Sequence, residues 1–146
     1  MDKEIRFALR AADIKTEDNE IRVSGYAAVF NQDADIGGYF VERIEAGAFD
    51  EAITRDDVVF LINHDGLPLA TTRAKTMTLS SDSHGLKMET VLDGTDPDVQ
   101  RIVPKMKRGD LDKMSFAFRA DVQEWNESSD PPVRTIKKAS LYDVSI

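Results

Sequence analysis

The 146-residue chain has no cysteine. That absence removes disulfide staples, thiolate nucleophiles, zinc fingers and iron–sulfur clusters. Histidine is nearly absent too: His64 and His84, on different predicted elements, make a poor ligand set for a metal centre. No apolar run approaches the ~18–20 residues of a membrane span, and the charged opening MDKEIRF does not read as a signal peptide. Basic residues number 19 against 27 acidic ones, a net charge of −8. Phosphate binding needs a basic face, so nucleic acid and anionic membrane are excluded as main partners. There is no internal repeat and no low-complexity tract. What remains, 41% hydrophobic and 32% charged, reads as one globular, soluble, intracellular domain over residues 1–146. A chain of this size buries about 68–70% of its unfolded surface, enough for one core.

Short alternating segments dominate. Ile5, Phe7 and Leu9 alternate with polar or small residues, which predicts a strand with that face half-buried. Residues 21–30 carry apolar side chains on both faces at one end, the mark of a strand central to its sheet. Residues 31–38, rich in Asp, Asn and Gly, predict a loop, 39–44 a short strand, and 46–54 one or two helical turns with Phe49, Ala52 and Ile53 inward. The run 58–62 predicts a buried strand ending at Asn63-His64-Asp65-Gly66. Residues 74–79 and 86–92 predict two strands about a turn in which Gly85 supplies positive φ. Asp96-Pro97 and Gly109 bracket a helix whose stripe is Val99, Ile102, Val103 and Met106, with Pro104 expected to kink or shorten it. Strands at 114–122, 133–138 and 141–146 complete about eight strands and two helices, a barrel or sandwich with helices outside. The chain stops inside the last apolar pattern, which reads as a C-terminally truncated domain.

Three residues could carry chemistry. His64 lies where a buried strand meets a turn, so the strand would hold the imidazole and the loop expose it. An imidazole ordinarily titrates near ~6.5 and suits a general base at neutral pH. Ser115, on the face opposite Met114, Phe116 and Phe118, becomes a nucleophile only with such a base in hydrogen-bond reach. Asp143 lies in an apolar segment where a buried carboxylate needs a partner, and an imidazole is a suitable one. Taken alone, each also fits a plain reading: a loop histidine, a small strand serine, an edge-strand charge. No G-x-S-x-G elbow is present, so an α/β-hydrolase is excluded. His84 reads as a turn residue, Glu42 and Glu45 as charged surface, Asp96 and Asp98 as helix capping, and Trp125, Met88 and the phenylalanines as core or interface.

Five blocks occur together: Ser24-Gly25-Tyr26-Ala27-Ala28-Val29-Phe30, Glu45-Ala46-Gly47-Ala48-Phe49, Asn63-His64-Asp65, Gly109-Asp110-Leu111-Asp112-Lys113-Met114-Ser115-Phe116-Ala117-Phe118 and Leu141-Tyr142-Asp143-Val144-Ser145. In this order they resemble the prohead (procapsid maturation) protease family of tailed bacteriophages. The resemblance implies a serine endopeptidase with a mainly β fold similar to the herpesvirus assembly proteases: a closed or partly closed antiparallel β-barrel of about seven to eight strands surrounded by a few helices. It assigns the nucleophile to Ser115, the base to His64 and the third member to Asp143. The family usually has Glu there, one methylene longer. It implies no cofactor and no metal, the major capsid protein with its scaffolding segment as partner and substrate, self-cleavage, and a homodimer as an allowed assembly. The location implied is the host cytoplasm, inside the procapsid. Activity should fall below about pH 6 as an imidazole base protonates. Three other readings compete: a catalytically inactive assembly or scaffold-binding module of the same fold, a small β-barrel for an apolar ligand, and a metal hydrolase. The bulky Phe, Ile and Val content argues against a hollow barrel, and two histidines against the metal enzyme.

Overall fold

Alternating small and aromatic residues near the C-terminal end build two long strands that form the spine of the fold. The computed structural model describes residues 2–11 and 13–146. Among these, the elements in chain order are β1 (Glu4–Ala11), β2 (Asp13–Glu17), β3 (Glu20–Val29), β4 (Ala34–Ile36), β5 (Phe40–Ile44), α1 (Asp50–Arg55), β6 (Val59–Ile62), β7 (Asp65–Thr71), β8 (Met77–Ser81), β9 (Gly85–Asp93), α2 (Pro97–Arg108), β10 (Lys113–Asn126) and β11 (Val133–Ser145). The spine is β10 against β11, antiparallel from Ser115 opposite Ser145 to Asn126 opposite Val133. Three register shifts along it bend and twist the pair, as bulges do.

A seven-stranded sheet forms around this spine in the order β1-β10-β11-β5-β4, with β6 and β7 added beside the end of β11. The chain is mainly β, and where a closed or partly closed barrel is expected the sheet forms an open half-barrel, with β1 and the three-residue β4 at the ends of its main path. Nor is the sheet purely antiparallel. β11 runs parallel to β5 along its first half and parallel to β6 near its end. A second, antiparallel sheet runs β2-β3-β9-β8. One apolar core joins the sheets, with Phe49, Phe60, Leu86, Met88, Met114 and Phe118 fully buried. Phe49 packs edge-on to Phe116 at 5.8 Å and stacks with Phe30 at 6.2 Å.

Several local expectations hold. α1 turns Phe49 and Ala52 inward, and β3 is central to its sheet. α2 starts at Asp96, whose side chain accepts the Asp98 N–H at 2.9 Å, and ends on Gly109 at φ 86°. Others are corrected. Pro104 does not shorten α2, which runs through it to Arg108, with Met106 buried and Gly109 capping the last turn. Gly85 is needed for space rather than for positive φ: an added Cβ would lie 2.0 Å from the Ala28 carbonyl oxygen, where β3 bulges toward β9. β4 falls within the predicted loop, β7 begins inside the predicted turn at Asp65, and the two predicted C-terminal strands are one continuous β11. β1 is a strand, but its faces are reversed. Ile5 and Phe7 point outward, 41% and 71% exposed, and the side chain of Leu9 lies outside the described residues.

The reversal has a partner in Glu42, which is buried rather than on the surface. Arg6 donates to its carboxylate at 2.7 and 2.9 Å and Arg134 at 3.2 Å. Arg134 also binds Glu4 in a fork at 2.8 and 2.9 Å and Gln123 at 2.6 Å. These bonds satisfy charges that would otherwise be costly to bury. Trp125, expected in the core or at an interface, is 43% exposed, covering Arg134 at 5.9 Å and meeting Phe40 edge-on at 5.1 Å.

Candidate active site

Cross-strand neighbours in a ladder project to the same side. Ser115 therefore shares a face with its partner Ser145, and Ala117 shares it with Asp143. Phe116 and Phe118 take the opposite face and fill the core. The small polar side chains thus lie together on the outer face of the half-barrel, at the end where β6 joins β11.

His64 reaches this face from the β6–β7 hairpin. Ile62 pairs with Asp65, so the loop is the two residues Asn63 and His64, both left-handed at φ 51° and 59°. A two-residue hairpin loop with both φ positive matches the twist of the flanking strands, and Asn suits its first position. Glycine would be the unstrained choice at the second. An imidazole there is held against an unfavourable backbone preference of roughly 1–2 kcal/mol. The hairpin is pinned to β11: Asn63 N–H donates to the Ile146 carbonyl at 3.1 Å, and Ile146 N–H donates to that of Leu61 at 3.1 Å.

The three predicted residues meet. Ser115 Oγ lies 2.6 Å from His64 Nε2, and His64 Nδ1 is hydrogen-bonded to Asp143 Oδ1, across 51 and 79 residues of chain. Asp143 is 2% exposed, and its carboxyl oxygen and the Ser115 hydroxyl meet opposite nitrogens of the one imidazole ring. Asp143, although shorter than Glu, spans the gap because β6 lies directly beside it, with Val59 its ladder partner.

Two residues at the site escaped sequence reading. Ser145 Oγ accepts the His64 backbone N–H at 3.0 Å and donates to Asp143 Oδ1 at 3.1 Å, tying the hairpin to the carboxylate. Its position two residues after Asp143 on one strand face was the available signal. Lys3 Nζ stands 3.8 Å from Asp143 Oδ2 and 5.4 Å from the centre of the Tyr142 ring. Nothing in the sequence marks Lys3. His84 sits apart in the β8–β9 turn, edge-on to Tyr26. Among the described residues, no group of three or more His, Cys, Asp or Glu side chains is arranged to hold a metal ion.

A cleft of about 490 Å³ opens onto Ser115, walled by Phe7, Ile62, Leu111 and Ile146. Another, of about 420 Å³, lies in the seam between β1 and β4, and Ser115 does not line it. A serine hydroxyl bonded to a carboxylate-oriented imidazole and facing a cleft is equipped for acyl transfer. A protein-family model described as caudovirus prohead serine protease matches residues 7–146. No curated protein and no solved structure matches.

Proposed function

The chain belongs to the caudovirus prohead serine protease family, and from that premise we propose that it is an active serine endopeptidase that cleaves the scaffolding segment of a capsid protein, and itself, during procapsid maturation. The reading rests on one observation above all, the 2.6 Å contact of Ser115 Oγ with an imidazole whose other nitrogen is bonded to a buried carboxylate. Ser115 Oγ attacks the scissile carbonyl carbon while its proton passes to His64 Nε2. The tetrahedral intermediate collapses as His64 returns that proton to the leaving amine nitrogen, the C–N bond breaks, and the acyl group stays on Ser115. Water, deprotonated by His64, then hydrolyses the ester. Asp143 holds the productive tautomer and stabilises the imidazolium.

Capsid and scaffold segments as substrates follow from family membership together with enclosure in a procapsid, where high local concentration makes weak peptide affinity sufficient. The test is intact-mass spectrometry after co-expression with the capsid protein, wild type beside Ser115→Ala. Trimming of both proteins by the wild type and of neither by the variant is expected. Identical masses in the two samples overturn the catalytic reading in favour of an inactive assembly module.

A further inference from the structure

β1 inverts the usual placement of side chains. Glu4 and Arg6 point into the half-barrel, onto Glu42 and Arg134, while Ile5 and Phe7 face out. A strand built this way leaves two large apolar groups in water and must neutralise charge inside. The outward residues are not scattered. Phe7 stands opposite Ser115 and Ile5 opposite Ala117 in the β1–β10 ladder. Directly opposed Cβ atoms lie about 4.5–5.5 Å apart on one face. The most exposed phenylalanine is therefore the immediate neighbour of the candidate nucleophile, and it walls the clefts on both sides of β1.

We propose that Phe7 is a specificity-determining residue, contacting a bulky apolar side chain of the substrate within two residues of the scissile bond. This rests on Ser115 being the nucleophile. The attacked carbonyl must come within about 3–3.5 Å of Ser115 Oγ. An extended peptide advances only ~3.3 Å per residue, so only the residues flanking the scissile bond can reach the phenyl ring. Around the ring, Ile62, Leu111 and Ile146 offer branched apolar surface, which suits Leu, Met or Phe. The cleft is also lined by the charged Asp110, Asp112 and Lys113, of which Asp110 is paired with Arg108 at 2.6 Å. Substrate covers the exposed face during the reaction, which accounts for apolar groups there without a core to receive them.

The experiment uses the full chain and a quenched-fluorescence peptide set in which the two residues on each side of the scissile bond are varied in turn. Wild type is expected to prefer Leu, Met or Phe at one of these positions. Phe7→Ala should lower kcat/KM for that peptide about 10–100-fold, and by much less when the same position holds Gly. Phe7→Leu should recover most of the loss. The melting temperature of Phe7→Ala should match wild type, since the ring is 71% exposed. An unchanged side-chain preference in Phe7→Ala overturns the proposal while leaving the nucleophile assignment intact. A wild-type dimer that Phe7→Ala dissociates with its preference unaltered overturns it in favour of self-association. Cleavage by Ser115→Ala at the wild-type rate removes the nucleophile assignment, and this proposal with it.

Discussion

Asp143 and Ser145 share the holding of one imidazole through different atoms. The carboxylate takes Nδ1–H, and the Ser145 hydroxyl takes the backbone N–H of the same residue. The two should separate experimentally. Asp143→Asn presents an amide that can donate to Nδ1, favouring the wrong tautomer; a loss of roughly 10⁴ in kcat is expected, by analogy with triads of this type, with the fold retained. Steady-state kinetics beside circular dichroism check both parts. Ser145 is fully buried, so Ser145→Ala leaves the His64 N–H without its acceptor and should cost about 1–3 kcal/mol in urea denaturation. An unaltered unfolding midpoint would show that another acceptor satisfies that N–H.

At the scale of the element, the β6–β7 hairpin decides where the base stands. Asn63 at φ 51° occupies a conformation that Asn tolerates and a β-branched residue does not. Asn63→Val should therefore cost about 1–2 kcal/mol and displace His64, lowering kcat, whereas Asn63→Gly should fold at least as well as wild type. Denaturation curves of the two variants side by side give the comparison, and equal midpoints would mean that the turn relaxes. In the other sheet, Gly85→Ala sets a Cβ against the Ala28 carbonyl and forces β3 from β9. A loss of roughly 1–3 kcal/mol is expected, as for overpacking, with a correspondingly lower melting temperature in calorimetry.

For the whole molecule, the ion network that receives β1 links the open edge of the half-barrel to its spine. Arg134→Met leaves Glu42, 3% exposed, still held by two bonds from Arg6 but removes the cation shared with Glu4, and should cost about 1–3 kcal/mol in thermal or urea unfolding. The network also sets an acid limit. The hydrogen bond from Arg134 holds the Glu4 carboxyl below its ordinary range. Burial alone would raise Asp56, but the Arg55 guanidinium and the Leu141 N–H outweigh it, and in Asp121 the Ser140 hydroxyl and Arg119 do the same. A carboxyl whose folded value is depressed stabilises the fold above its unfolded value, near ~4, and loses that contribution as pH falls through the folded value. The melting temperature should therefore drop from about pH 4 downward and be insensitive to these groups above about pH 5. A melting temperature constant from pH 5 to pH 3 would contradict this.

Most of the site was legible in one dimension. Residue type and placement make Ser115, His64 and Asp143 candidates, the resemblance of the five blocks gives them their roles, and helix α2 announces both its caps. The misreadings share a cause. Ile5 and Phe7 were assigned inward because alternation shows that two faces differ without showing which one meets the core. Glu42 was assigned to the surface because its cations, Arg6 and Arg134, lie 36 and 92 residues away. Gly85 was given a turn role because the carbonyl that crowds it belongs to another strand. The sequence by itself determined a mainly β chain, the ends of α2, its exclusion of thiol chemistry and a candidate serine, imidazole and carboxylate. Only the tertiary structure decided that these three touch, that the barrel stays open, and that β1 turns its apolar face toward Ser115. Local pattern reports short-range backbone and burial preferences, whereas contacts across 51 and 79 residues depend on strand register, which is set when the sheets pack.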